Sequence, residues 1–208
     1  MPEAANLLLF LGASLALNLT PGPDMLYVLA RGSGEGTRAG VVSALGIATG
    51  TLVHLALVAL GLASLLAAVP IAFDVVRYAG AAYLIFLGVR ALFGRSGANE
   101  QREVREATLP EIFRQGVITN ILNPKVALFF AAFLPQFADP ARGPVALQLI
   151  MLGLLFNLSG TTVNLLVGVM AARAGAGLRA RLGATGTLRR ATGLIFLGLG
   201  LRLALDRR

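Results

Sequence analysis

The longest part of this chain without a Lys, Arg, His, Asp or Glu side chain runs from residue 143 to residue 172. About 20 helical residues cross the roughly 30 Å apolar core of a bilayer. Five further stretches hold few or no charges, at residues 4–23, 39–73, 72–92, 115–138 and 187–205. The sequence therefore predicts an all-α membrane protein with six transmembrane helices.

Composition excludes most other classes of protein. Hydrophobic residues make up 56% of the chain and charged residues 13%, with a mean hydropathy of +0.77. A soluble domain is about one quarter charged, so this chain has too few polar side chains to cover a soluble core. A disordered chain, a nucleic-acid-binding module and an ordinary cytosolic enzyme are excluded. With no cysteine and one histidine, we expect no metal site, and we expect no cofactor.

The basic residues predict how the chain is oriented. The net charge is +8, and in a membrane protein lysine and arginine concentrate in cytoplasmic loops. The loops after the first, third and fifth predicted helices hold twelve basic residues, against five on the other side. Both termini are therefore expected outside the cytoplasm, and the charged segment of about 94–111 is expected to be a cytoplasmic linker.

Two short matches at one offset suggest an internal repeat. Residues 50–55 agree with residues 160–165 at four of six positions, and residues 84–88 are identical to residues 194–198. Each half would contain three spans, so the two halves must have opposite orientations, as in many transporters. We expect one transmembrane domain over residues 1–208, with repeat 1 at about 1–93 and repeat 2 at about 112–208.

Two proline-containing segments interrupt the first and fourth predicted helices. The first runs Asn18-Leu19-Thr20-Pro21-Gly22-Pro23-Asp24, and the second runs Asn120-Ile121-Leu122-Asn123-Pro124-Lys125. Proline lacks the N–H that continues a helix, and asparagine or threonine before it can cap a new one. Irregular backbone survives inside a membrane only where it is buried in protein or lines a cavity. Both helices are expected to break at proline and to form a binding site near the middle of the membrane.

Asp24 and Lys125 are the charged residues well inside the predicted spans. Charges within the membrane are costly and usually functional. Lys125 and the half-helix N-termini suit a carboxylate, while Asp24 suits an ammonium group or a proton. A static ion pair between the two residues is the alternative.

Polar residues on the second and fifth helices extend this site. They are His54 on the second helix and Asn157 and Asn164 on the fifth. His54 could carry protons near neutral pH, or it could form a packing hydrogen bond. For the two asparagines, hydrogen bonding between helices is the alternative to a binding role.

The two broken segments resemble the motifs of the LysE/RhtB family of bacterial amino-acid exporters. The resemblance covers the chain from Phe10 to about Leu205 and carries the family's motif positions to 21–24 and 123–125. It implies export of amino acids across the bacterial inner membrane, driven by the proton-motive force. Export of another small solute is an alternative.

A second alternative is an intramembrane serine protease that uses Ser159 and His54. The sequence around Ser159 lacks the Gly-x-Ser-Gly pattern of such proteases, so we expect a transporter rather than an enzyme. A single midplane acid favours small neutral amino acids or derivatives as substrates. The expected partners are an amino acid, protons and membrane lipid but no nucleic acid, and homo-oligomer formation is left open.

Overall fold

The computed structural model describes residues 4–62 and 107–174, with single helical positions within 78–93 and 194–204. The predicted third and sixth spans and most of the linker lie outside these described residues. Within them, no strand occurs. Six α-helices are present: α1 Ala4–Leu19, α2 Pro23–Glu35, α3 Thr37–Leu57, α4 Leu109–Ile121, α5 Pro124–Leu128 and α6 Val145–Ala174.

The first predicted span is broken between α1 and α2. Helix α2 starts with Pro23 in its first turn, and Gly22 is the extended residue before it, with φ −158°. The expectation that Thr20 caps this helix is wrong. The Thr20 hydroxyl donates instead to the Ala16 carbonyl at 2.7 Å, because α2 begins later than the Thr20-Pro21 pair suggests.

The fourth predicted span is also broken, at the proline that the sequence indicates. Helix α4 and the helical segment Pro124–Phe137 meet at a bend of 47°. Asn123 caps the second segment, since its side-chain oxygen accepts a hydrogen bond from the Lys125 N–H at 3.0 Å. Beyond α5 this segment continues as a π-helical turn at Phe129–Phe133 and a 3-10 turn at Leu134–Phe137.

Three parts of the described chain are candidate membrane spans. Thr37–Gly61 contains 25 residues with a mean hydropathy of 2.0, and Val145–Ala174 contains 30 residues with a mean hydropathy of 1.7. The bent pair of α4 and the helical segment after it is the third candidate. The apolar helix Asn6–Leu19 is shorter. The described secondary structure is thus all helical, and two or three of its segments are long and apolar enough to cross a membrane.

Glycines bring helices of the two sequence halves into backbone contact. A methyl group on Gly32 would lie 2.4 Å from the Gly168 carbonyl oxygen, and one on Gly40 would lie 2.9 Å from it. A methyl group on Gly46 would lie 2.4 Å from the Phe113 carbonyl oxygen. Such close crossings of helices are typical of membrane proteins, where small residues let backbones approach.

An aromatic core lies where α1 meets α6 and the helical turns that follow α5. The Phe129 and Phe156 rings stack with centroids 4.6 Å apart, and the Phe10 and Phe137 rings meet edge to face at 5.3 Å. The contact of Phe10 with Phe137 joins the first half of the chain to the second.

Candidate functional site

Asn120, in the last turn of α4, is the centre of a buried hydrogen-bond network. Its side-chain Nδ2 donates to Oδ2 of Asp24 at 2.8 Å, and its Oδ1 accepts from the Thr51 hydroxyl at 3.4 Å. Asn120 is 1% exposed and Asp24 is 8% exposed. The network joins α2 and α3 of the first half to α4 of the second.

Two local features place these side chains. Asp24 lies in the first turn of α2, where free N–H groups and the helix dipole favour a negative charge. On α3, a methyl group at Gly50 would lie only 2.8 Å from the Asn120 Cβ. A glycine at this position therefore leaves the room that the Asn120 side chain needs.

His54 contacts the second break. Its Nε2 lies 3.0 Å from the Asn120 carbonyl oxygen. A carbonyl can only accept a hydrogen bond, so Nε2 carries the proton in this contact. Residue 124, which would supply the helical N–H four positions later, is proline, and the Asn120 carbonyl accepts from the Asn123 N–H at 2.9 Å as well as from His54.

Lys125 lies in the first break and not beside a carboxylate. Its ammonium donates to the carbonyl oxygens of Leu17 at 3.2 Å and of Thr20 at 2.9 Å. A methyl group on Gly22 would lie 3.0 Å from the ammonium nitrogen. Within residues 4–62 and 107–174 the structure records no ion pair between Asp24 and Lys125, so the two charges do not form a direct salt bridge.

Asn123 brings a further amide to the buried carboxylate. It is 1% exposed and lies beside Asp24. Its Oδ1 caps α5, but its Nδ2 completes no hydrogen bond among the described residues, and neither does Oδ1 of Asp24. This donor and this acceptor are neighbours in one buried place, and they are the candidate contacts for a ligand.

The other predicted site residues lie apart from this network. Asn18 donates to the Ser159 hydroxyl of α6 at 2.9 Å. On the same helix, Asn157 accepts from the Thr161 hydroxyl at 3.4 Å, and Asn164 is buried. In the described part of the chain, no hydrogen bond joins any of these asparagines to Asp24. Pro21, Gly22, Pro23 and Pro124 shape the two breaks.

Sequence reasoning missed a second buried polar cluster, which joins α2 to α4. The Tyr27 hydroxyl donates to the Ile112 carbonyl at 2.7 Å, and Arg31 donates to the Gln115 side chain at 2.6 Å. Arg31 also forms an ion pair with Glu35 and is only 6% exposed. By hydropathy alone, Arg31 is one of the basic residues of the loop after the first predicted helix. The four-residue spacing of Tyr27, Arg31 and Glu35 could have identified one helical face.

Known families and proteins resemble this chain over most of its length. The family described as LysE type translocator matches residues 15–207. An uncharacterized membrane protein of Pseudomonas aeruginosa is 34% identical over 191 residues, which cover 89% of this chain and 88% of that protein. No solved structure matches the chain.

Two relatives carry a functional name. They are the leucine efflux proteins of Salmonella choleraesuis and Salmonella paratyphi A, each 34% identical over 132 residues. The alignment covers 62% of this chain and 62% of each relative, so the chain spans less than two thirds of these two proteins. The resemblance that the two motifs carry is confirmed by the family match, and the protease alternative is excluded. This chain belongs to the LysE type translocator family, and it is a transporter rather than an enzyme.

Proposed function

We propose that this protein exports a small neutral amino acid, or a close derivative, across the bacterial inner membrane by using the proton-motive force. The observation that carries the proposal is the pair of proline breaks, which bring Asp24 and Lys125 into the protein interior. The two leucine efflux relatives support an amino acid as the substrate.

An amino acid offers two charges, and the site has a counterpart for each. The free Oδ1 of Asp24 accepts from the substrate ammonium group. Lys125 donates two of its three N–H groups to backbone carbonyls, which leaves one for the substrate carboxylate. The buried site holds one acidic group, which suits a substrate with one ammonium group better than a dibasic one.

Asp24 binds and releases the driving proton in this mechanism. It is the one buried carboxylate within residues 4–62 and 107–174, and carboxylates inside membrane transporters commonly serve as proton carriers. The Asn120 amide can serve either form of Asp24, because its nitrogen donates to a carboxylate and its oxygen accepts from a protonated acid. His54 is not needed for this step.

The proposal includes six spans arranged as an inverted repeat, with both termini outside the cytoplasm. Two contacts support the repeat. A methyl group on Gly50 would lie 3.0 Å from Oδ1 of Asn120, and one on Gly160 would lie 3.0 Å from Oδ1 of Asn18. Gly50 and Gly160 match at the offset of the sequence repeat, and Asn18 and Asn120 begin the two proline-containing segments.

The experiment uses purified protein in liposomes. Radiolabelled neutral, acidic and basic amino acids are loaded inside, and their movement is followed with and without an imposed pH gradient. We expect proton-dependent transport of small neutral amino acids that a protonophore stops. Folded protein that transports no amino acid, or whose transport ignores the pH gradient, would contradict the proposal, and a wider panel of small solutes would then identify the substrate class.

A further inference from the structure

At each proline break, a backbone carbonyl lacks its α-helical N–H donor and accepts a hydrogen bond from a side chain of the opposite half of the chain. Pro21 removes the N–H that would bond to Leu17, and the Leu17 carbonyl accepts from Lys125 at 3.2 Å. Pro124 removes the N–H that would bond to Asn120, and the Asn120 carbonyl accepts from His54 at 3.0 Å. The two contacts are reciprocal, since repeat 2 closes the first break and repeat 1 closes the second.

Both carbonyls belong to buried residues, since Leu17 is 0% exposed and Asn120 is 1% exposed. Each carbonyl also accepts from the N–H three positions later, from Thr20 at 3.1 Å and from Asn123 at 2.9 Å. The side chain therefore supplies the second donor to each carbonyl, where little water is present to replace it. The His54 ring also lies against Phe130, with centroids 6.1 Å apart, which limits how far the ring can turn away.

We propose that Lys125 and His54 are positioning residues that clamp the two breaks together around Asp24, and that His54 acts as a hydrogen-bond donor and not as a proton carrier. Nε2 of His54 keeps its hydrogen in both the neutral and the cationic ring, because a carbonyl oxygen cannot take the proton or return it. No proton therefore passes through this contact, and comparing His54→Gln with His54→Leu tests whether the other ring nitrogen carries one. The inference on transport rests on the proposed function, whereas the clamp itself does not.

The His54 part is tested by comparing His54→Gln with His54→Leu. The amide nitrogen of glutamine can donate a hydrogen bond from nearly the same place as Nε2, but glutamine cannot bind or release a proton. Leucine can neither donate a hydrogen bond nor bind a proton. We expect His54→Leu to melt several degrees lower in detergent and to lose about tenfold in transport rate, since a buried acceptor loses its side-chain donor. His54→Gln should retain most of the thermal stability and most of the transport rate, and its transport should depend on pH as that of the wild type does. If His54→Gln melts like the wild type but transports as poorly as His54→Leu, the proposal is overturned.

The Lys125 part is tested with Lys125→Ala and added amines. n-Propylammonium can refill the space and donate to the Leu17 and Thr20 carbonyls, whereas tetramethylammonium has no N–H to donate. We expect millimolar n-propylammonium to raise the melting temperature of Lys125→Ala, or its yield if the variant accumulates poorly. Tetramethylammonium should have no effect. Equal effects of the two cations, or no effect of either, would overturn the clamp.

The two sets of measurements also separate the clamp from the proposed function. Melting temperatures that follow the expected order in a protein that exports no amino acid would support the clamp and reject the function. Proton-driven amino-acid export without a specific rescue of Lys125→Ala by n-propylammonium would support the function and reject the clamp.

Discussion

The side-chain amide of Asn120 donates to the carboxylate of Asp24 at 2.8 Å, across 96 positions of sequence. This bond connects the end of α4 to the start of α2, and so connects the two sequence halves at their breaks. Thr51 and Gly50 hold Asn120 from the side of α3. The network gives the buried carboxylate one fixed partner and leaves its second oxygen open.

The first prediction concerns Asp24→Asn. Asparagine has the same size and its oxygen can still accept from Asn120, so we expect the variant to fold. It cannot bind the driving proton, so transport against a gradient should fall to background, whereas passive exchange of substrate across liposomes should persist. An Asp24→Asn protein that still accumulates an amino acid against its gradient would refute the role of Asp24.

The second prediction separates substrate binding by Lys125 from its effect on folding. The wild type should bind a neutral amino acid about tenfold or more tightly than the corresponding amide, because a charge-assisted hydrogen bond to the carboxylate is lost in the amide. Lys125→Ala should bind the two compounds alike. Thermal-shift titrations of purified protein measure both affinities. The role in binding is rejected if Lys125→Ala keeps the preference of the wild type.

The third prediction concerns Gly50→Ala. The added methyl would lie 2.8 Å from both the Asn120 Cβ and the Val117 carbonyl oxygen. The carbonyl oxygen belongs to the backbone of α4, so it cannot move aside unless the helix shifts. We expect a loss of roughly 1–3 kcal/mol in stability, as for other overpacked interiors. Gly12→Ala is the matched control, because nothing lies within 4 Å of a methyl group at that position. Similar melting temperatures for the two variants would contradict the packing described here.

The fourth prediction concerns the second buried cluster. Arg31→Gln leaves Glu35 and Gln115 without their cationic partner in a place with little water. Removing one member of a buried ion pair costs about 3 kcal/mol. We therefore expect a clear drop in melting temperature. Arg38→Gln, at an exposed position seven residues later, serves as the control and should melt near the wild type. Equal melting of the two variants would show that the cluster adds little stability.

The sequence alone determined the features that depend on local chemistry. The apolar stretches predicted helices long enough to cross a membrane, and α3 and α6 confirm them. Proline lacks a backbone N–H wherever it occurs, so the break before Pro124 and its Asn123 cap were predictable from neighbouring residues. The first break was predictable for the same reason, although the residue that begins α2 was not, because Gly22 and Pro23 offered a second starting point.

Only the tertiary structure decided which side chains meet. The sequence suggested Asp24 as a partner for Lys125, yet Lys125 binds the Leu17 and Thr20 carbonyls, which lie 108 and 105 positions away. His54 similarly finds a carbonyl 66 positions away. The physical reason is that these contacts depend on how closely helices from different halves approach, and glycine crossings set that distance. Hydropathy and motif spacing predict whether a segment is helical and where its helix breaks. They carry no information on which distant carbonyl a buried donor will contact.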